Sequence, residues 1–127
     1  METDTDPRAD LIRTMFAGSD SGDIDTFISC LTDDAVVVFG SYEPVAGKEA
    51  IRALSDDLLS KVASVRHEFH NIWNAVEDPD VYIAQISVHY TKLDRSIVSV
   101  PCATVFRMTG DLVAKYSVYM DPTGIFG

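Results

Sequence analysis

The stretch that decides the fold covers residues 98–126 and reads VSVPCATVFRMTGDLVAKYSVYMDPTGIF. Two runs rich in β-branched and aromatic residues, 96–108 and 112–120, flank the segment Thr109-Gly110-Asp111. That pattern predicts a long antiparallel hairpin with a glycine-containing connection. At roughly 3.3 Å per residue the first strand would span about 40 Å. In so small a protein, a strand of that length predicts a strongly curved sheet wrapped around a cavity.

Upstream of the hairpin the sequence predicts three helices and further strands. Pro7 suits the first turn of one helix, Asp23 can cap a second short one, and an apolar stripe at helical spacing runs through residues 48–60. Residues 35–39 are predicted as a short strand, and alternating patterns predict long strands over 65–73 and 81–92. Helices segregated from consecutive strands are typical of the α+β class.

Composition limits the classes of function. The 127 residues predict a single domain over 1–127, with residues 1–6 as a flexible tail. Twenty acidic against ten basic residues give a net charge of −10, which disfavours nucleic acid and an anionic membrane as partners. The longest apolar run, 35–39, is too short to span a bilayer, and the first ten residues predict no signal peptide. Cys30 and Cys102, without CxxC spacing, predict reduced, buried thiols in a cytoplasmic protein.

Both faces of the predicted hairpin are apolar. Along its first strand, Val98, Val100, Cys102, Thr104 and Phe106 alternate with Ala103, Val105 and Arg107. One face must pack against the helices. The other is too apolar to be left to water, which predicts a homodimer formed through it.

Four segments carry a family resemblance: TDDAVVVF, EPVAGKEAIRAL, VHYTKLD and VPCATVFRMTGDLVAKYSVYMDP. With these landmarks the chain resembles the nuclear transport factor 2-like superfamily, in particular its SnoaL-like polyketide cyclase and ketosteroid isomerase branch. The resemblance implies a cone-shaped, cystatin-like fold in which a curved antiparallel sheet and three N-terminal helices enclose an apolar pocket. It also implies dimerisation through the outer face of the sheet.

The functions open to such a fold are several. The preferred one is cofactor-free acid/base catalysis (cyclase, isomerase or dehydratase-like) on a small apolar cyclic or polyketide-like substrate. The alternative is a non-catalytic ligand-binding or dimeric interaction protein. The resemblance places Val38 or Phe39, and Thr104, where ketosteroid isomerases carry carboxylates, and this disfavours steroid-type isomerisation. Val118 stands where an epoxide hydrolase would carry an acid.

Asp121 is the first candidate for a catalytic residue. The register implied by the resemblance turns Ser117, Tyr119 and Asp121 into the pocket, where apolar surroundings would raise the pKa of the carboxyl to a useful value. The other interpretation is that Asp121, which precedes Pro122, only organises the turn that starts the tail.

His67 or His70 is the second catalytic candidate. On a strand the two point to opposite faces, so they cannot share a metal, and one is expected to face the pocket. Glu68 shares a face with His70 and could orient its imidazole. Of His89 and Tyr90, we expect Tyr90 to face inwards.

No metal site is predicted, because the acidic segment 20–25 lacks the ligand order of a calcium loop. Aromatic residues are numerous enough to line a pocket, and Tyr42 and Tyr119 would supply hydroxyls for a carbonyl or phenol. The predicted ligand-binding residues are Phe16, Tyr42, Trp73, Tyr90, Thr104, Phe106, Ser117 and Tyr119.

Overall fold

The computed structural model describes residues 6–126, of which Phe126 by its backbone alone. Its helices are α1 (Pro7–Asp20), α2 (Ile24–Ser29), α3 (Lys48–Ser60) and α4 (Thr123–Phe126). Its strands are β1 (Leu31–Phe39), β2 (Val45–Ala46), β3 (Val62–Asn74), β4 (Val81–Lys92), β5 (Ile97–Thr109) and β6 (Leu112–Tyr119). The predicted α+β class is confirmed; the short strand β2 and the terminal helix α4 were not predicted.

The six strands form one sheet in the order β2-β1-β6-β5-β4-β3. Four of its five pairings are antiparallel, in agreement with the predicted curved antiparallel sheet, and the remaining pair, β1 with β6, is parallel. A parallel pair needs a crossover connection. Here the chain between the two strands includes α3 and the rest of the sheet, so β1 closes the fold beside the last strand.

The inner face of the sheet is set by strict alternation along β5. Val100, Cys102, Thr104, Phe106 and Met108 are all buried, and the residues between them are exposed or half-buried. Helix α1 covers this face with its buried Ile12 and Met15, and α3 adds the fully buried Ile51. The core therefore lies between the inner face and the helices.

Two β-bulges change which side chains point inwards. Along β6, Arg107 pairs with Lys115 but Met108 pairs with Val113, so one residue of β6 is inserted. Along β3, the register shifts between Phe69 and Asn71. Each bulge inverts the alternation that follows it.

The start of α1 is fixed by Asp6. Its carboxylate accepts a hydrogen bond from the Arg8 backbone N–H at 3.0 Å and one from the Tyr82 hydroxyl at 2.5 Å. The Tyr82 bond, more than any other contact, lowers the pKa of Asp6. Asp6 is thus an N-cap and not part of a flexible tail; residues 1–5 of the predicted tail lie outside the described residues.

Helices α1 and α2 meet closely at Gly18. A Cβ there would lie 3.0 Å from the Asp23 carbonyl oxygen and 3.1 Å from the Thr26 side chain, so any other residue would force these neighbours apart by a few tenths of an ångström. The close turn holds the C-terminal end of α1, including Asp20, against the sheet. Over residues 6–126 no helix has the length and apolarity needed to cross a membrane.

Candidate functional site

A cavity of about 100 Å³ lies between the inner face of the sheet and the helices α1, α2 and α3. Most of its wall is aliphatic or aromatic, and α3 contributes Leu54, Leu58 and Leu59 to it. These leucines belong to the apolar stripe that predicted the helix. Neither lysine nor arginine occurs among the lining residues that the structure describes. The wall therefore has no cation to bind a negatively charged ligand.

Asp20 and His67 form a hydrogen-bonded pair at this cavity. Asp20 is the last residue of α1, and His67 lies on β3 and lines the cavity. Asp20 Oδ1 lies 2.6 Å from His67 Nδ1, and Asp20 Oδ2 accepts the His67 backbone N–H at 2.8 Å. Their side chains are only 21% and 14% exposed. One carboxylate thus fixes both the backbone and the ring of the histidine.

The second ring nitrogen of His67 opens to the cavity. No described residue hydrogen-bonds His67 Nε2, yet over residues 6–126 no buried side-chain nitrogen or oxygen lacks a partner. Nε2 must therefore be accessible. A carboxylate only accepts hydrogen bonds, so Nδ1 carries a proton and the neutral ring leaves Nε2 as the basic atom. The Phe16 ring, 4.7 Å away between centroids, packs against the imidazole.

Tyr90, Tyr116, Cys102 and Thr104 add polar atoms to the wall. Burial raises the pKa of both tyrosines, so they remain neutral hydrogen-bond donors. Burial also raises the pKa of the Cys102 thiol, whose sulfur lies 3.5 Å from the Thr104 hydroxyl, so it is not an activated nucleophile. The Tyr90 hydroxyl lies 3.8 Å from the Met120 sulfur. The cavity thus combines one oriented imidazole with neutral hydroxyls.

Four predicted site residues meet at this cavity. Phe16, Tyr90, Thr104 and His67 all line it, and Tyr90 faces inwards as expected, with His89 on the opposite face. Phe106 is fully buried behind the wall, in ring contact with Phe16. Contact of any of them with a ligand stays a prediction.

The other four predicted ligand-binding residues lie away from the cavity. Tyr42 is 45% exposed and packs on Phe39 from the loop after β1. Trp73 follows the β3 bulge and is 51% exposed, because the inserted residue turns it outwards. Ser117 and Tyr119 follow the β6 bulge and point to the outer face, so their expected inward orientation is wrong. Tyr116, Val118 and Met120 line the cavity in their place.

Asp121 does not face the cavity either. Its side chain is exposed, and Oδ1 accepts hydrogen bonds from the Thr123 backbone N–H at 3.0 Å and the Thr123 hydroxyl at 2.6 Å. The bonds from Thr123 lower the pKa of Asp121, opposite to the expected direction. The apolar surroundings assumed for its catalytic role are absent, and the interpretation as a turn residue ahead of α4 is correct.

A second group of histidines lies on the outer face. His70 Nε2 is 2.7 Å from the Ser87 hydroxyl, and His70 points away from the cavity, so the two candidate histidines do face opposite sides. Glu68 pairs with His89 instead of His70, at 2.8 Å, so the predicted Glu68–His70 pair is wrong. In the described part of the chain, no three His, Cys, Asp or Glu side chains are grouped to hold a metal ion.

Asp20 is the site residue that sequence reasoning missed. It lies 47 positions before His67, in an acidic segment that was interpreted only as a helix connection. An aspartate ending a helix is unremarkable locally, and the partner that gives it a role comes from another element. No signal within the segment could have identified the pair.

Comparison with known proteins agrees with this architecture. The family model of the SnoaL-like domain matches residues 12–116. No curated protein matches the chain significantly. Many solved structures do, at sequence identities that speak for the fold alone.

Three of these structures illustrate the range of proteins that share the fold. An NTF2-like protein of unknown function from Burkholderia pseudomallei is 10% identical, with a TM-score of 0.85 over 97% of this chain and 100% of the other. A Mycobacterium tuberculosis protein in complex with estradiol-17β-hemisuccinate is 15% identical, with a TM-score of 0.79 over 92% and 95%. An LEH-like epoxide hydrolase from Mycobacterium tuberculosis is 17% identical, with a TM-score of 0.78 over 94% and 86%.

The family match covers most of the sheet and three of the four helices, and the structural neighbours share the fold over nearly the whole chain. On this evidence the chain belongs to the SnoaL-like family of the NTF2-like fold.

Proposed function

We propose that this protein binds a small neutral cyclic or polyketide-like molecule in its cavity and moves a proton on it without a cofactor. His67 is the general acid/base, and Asp20 is the positioning residue that holds its ring. The observation that carries the proposal is the hydrogen bond of 2.6 Å between Asp20 and His67 Nδ1, which leaves Nε2 open to an apolar cavity. A positioned imidazole has a nitrogen that can both accept a proton from a substrate and return it.

Cavity size and lining support a small, uncharged substrate. About 100 Å³ is less than the roughly 150 Å³ of an apolar cavity that accepts benzene. A related structure holds a steroid, but a molecule of that size would require the leucines of α3 and Met120 to move aside. A single ring needs only a small outward movement of the same side chains, so we favour a monocyclic or comparably small substrate.

The test is a ligand screen followed by turnover measurements on matched variants. Steroids, terpenoids, aromatic polyketides, fatty acids and monocyclic ketones are screened by thermal shift, since a ligand at a hundredfold its Kd adds about 2.7 kcal/mol of stability. With a hit as substrate, His67→Gln should lower kcat by about 10²- to 10⁴-fold. His89→Gln and Asp121→Asn should leave kcat unchanged. Full activity in the His67 variant, or equal losses in all three, would refute the assignment.

One observation favours the alternative of a ligand-binding protein without catalysis. His67 is the only histidine, aspartate or glutamate that lines the cavity in the described part of the chain, so no second carboxylate or imidazole is available there. A single group can still shuttle one proton between two positions of a substrate. Specific binding without turnover of any bound compound would favour the binding protein.

We also propose that the protein is a cytoplasmic homodimer formed through the outer face of the sheet. Exposed apolar side chains on that face include Trp73, Ile97 and Tyr119. Both cysteines are free and buried, which suits a reducing compartment. Light scattering after size exclusion tests the dimer: a monomer at micromolar concentration would contradict it.

A further inference from the structure

The Tyr116 hydroxyl is a polar group that the proposed proton transfer does not use. Tyr116 is only 5% exposed and lines the cavity from the centre of the sheet, between Val37 on β1 and Phe106 on β5. No described residue hydrogen-bonds its hydroxyl. Since buried side-chain oxygens without a partner are absent from residues 6–126, the hydroxyl must reach the cavity space itself.

The Tyr116 ring is held in place by other aromatic rings. Phe16, Phe27 and Phe106 lie at centroid distances of 6.3, 6.2 and 6.1 Å, two of them edge-on and Phe106 stacked. A ring packed on three sides keeps its hydroxyl at one position. Phe16 also packs against His67, so both polar groups border the same aromatic side chain.

An apolar ligand in this cavity would displace water from the hydroxyl and leave it without a partner, at a substantial energetic cost. A ligand that places an oxygen there would gain a hydrogen bond instead. Burial keeps the tyrosine neutral, so it donates, and the matching group is an acceptor such as a carbonyl oxygen. The lining offers no lysine or arginine for a carboxylate.

We propose that Tyr116 is the specificity-determining residue of the cavity and selects substrates that carry a neutral carbonyl group, whose oxygen it binds. This inference rests on the proposed use of the cavity as a substrate site. It adds to that proposed function by naming the chemical group of the substrate that Tyr116 binds. Discrimination of this kind is strong, because a pocket with a buried donor rejects analogues that lack the acceptor.

The experiment compares two ring compounds of nearly equal shape, cyclohexanone and methylenecyclohexane, by NMR titration. The wild type should bind the ketone roughly 10- to 100-fold more tightly than the hydrocarbon. Tyr116→Phe should abolish this preference by weakening ketone binding only. Tyr42→Phe, which removes a hydroxyl outside the cavity from a tyrosine that is 45% exposed, should retain the preference. Cyclohexanecarboxylate should bind more weakly than the ketone to every variant.

Several results would overturn the proposal: an unchanged ketone preference in Tyr116→Phe, an equal loss for both compounds in that variant, or no saturable binding of the ketone. Thermal denaturation of Tyr116→Phe checks that it is folded. A carbonyl infrared band that shifts on binding to the wild type but not to this variant provides a second measurement. His67→Gln separates the two proposals, because it should keep the ketone preference even if no turnover is ever found.

Discussion

Asp20–His67 and Glu68–His89 are two carboxylate–histidine pairs on opposite faces of one sheet, and His67 and Glu68 are neighbours on β3. Their hydrogen bonds are similar, at 2.6 and 2.8 Å. In the inner pair both side chains are largely buried and the free ring nitrogen meets an apolar cavity. In the outer pair the carboxylate is 47% exposed and the second ring nitrogen is bound by Ser99 at 2.7 Å.

The difference shows that the pair alone does not make a reactive site. The outer imidazole has both nitrogens occupied within a row of cross-strand contacts, so it has no free atom for a substrate. The inner imidazole has one nitrogen oriented and one available, beside a largely apolar cavity. Alternation along β3 turns His67 to the cavity and Glu68 to the outer face, where Glu68 meets His89 of β4, so only the first pair lies beside a possible substrate.

The largest contrast should appear when the two carboxylates are neutralised. Asp20→Asn should lower kcat by about 10²-fold or more, because the amide can donate to the ring nitrogen and stabilise the wrong tautomer. Glu68→Gln should leave kcat unchanged. The measurement is steady-state turnover with a substrate found by the ligand screen, over a range of pH.

A positioning role for Asp20 predicts a lower kcat with little change in KM, and Asp20→Glu should recover part of the activity. If Asp20→Asn and Glu68→Gln lowered kcat equally, the contrast between the two faces would be wrong. An effect on KM alone would assign Asp20 to binding.

Sequence reasoning was correct wherever alternation ran without interruption. Residues 98–108 alternate strictly, as the pattern predicted, and the face that carries Cys102 and Thr104 is the inner one. Helix α3 was also predicted with its observed bounds, because its apolar stripe is regular and the preceding Gly47 takes a positive φ of 93° that ends the loop.

The errors in side-chain direction follow from the two bulges. Unbroken alternation from Val113 would turn Ser117 and Tyr119 inwards, and from His67 it would turn Trp73 inwards. One residue inserted in β6, and one inserted between Phe69 and Asn71 in β3, reverse these directions. Neither bulge contains a glycine, so the sequence carries no local mark of them.

The Asp20–His67 pair was beyond sequence reasoning for another reason. It joins a helix end to a strand 47 positions later, and its geometry depends on how α1 packs across the sheet. Local patterns predict elements and faces, whereas such a contact depends on tertiary packing. The sequence thus predicts only half of the candidate site. Alternation along the strand indicates the histidine, whereas its aspartate partner is found only from the fold.

A smaller contrast is expected in folding stability. Asp20→Ala removes the acceptor of both the His67 backbone N–H and its ring nitrogen in a largely buried setting, and should cost about 1–3 kcal/mol of unfolding free energy. Glu68→Ala removes an exposed partner that water can replace, and a much smaller loss is expected. Urea denaturation at neutral pH measures the loss of unfolding free energy in both variants. Equal losses would contradict the conclusion that only the inner pair is largely buried.

The smallest effect should be the pH dependence of the outer pair. The hydrogen bond from His89, first among its contacts, lowers the pKa of Glu68 below its ordinary value of 4.5. A carboxyl whose pKa is lower in the folded state stabilises the fold above the unfolded pKa and loses that contribution as the pH falls through the folded value. The wild type should therefore have a slightly higher Tm than Glu68→Gln above pH 4.5. This difference should vanish in stronger acid.

Salt separates this contribution from packing, because an exposed ion pair is screened at high ionic strength. One molar sodium chloride should reduce the part of the Tm difference that comes from charge and leave the part that comes from packing. Glu43→Gln is the matched control: Glu43 is exposed and has no ion-pair partner among residues 6–126, so this variant reports the loss of one negative charge from a chain of net charge −10. If the Tm difference between wild type and Glu68→Gln grew in acid, or equalled that of Glu43→Gln at every pH, the contact between Glu68 and His89 would contribute nothing to folding stability.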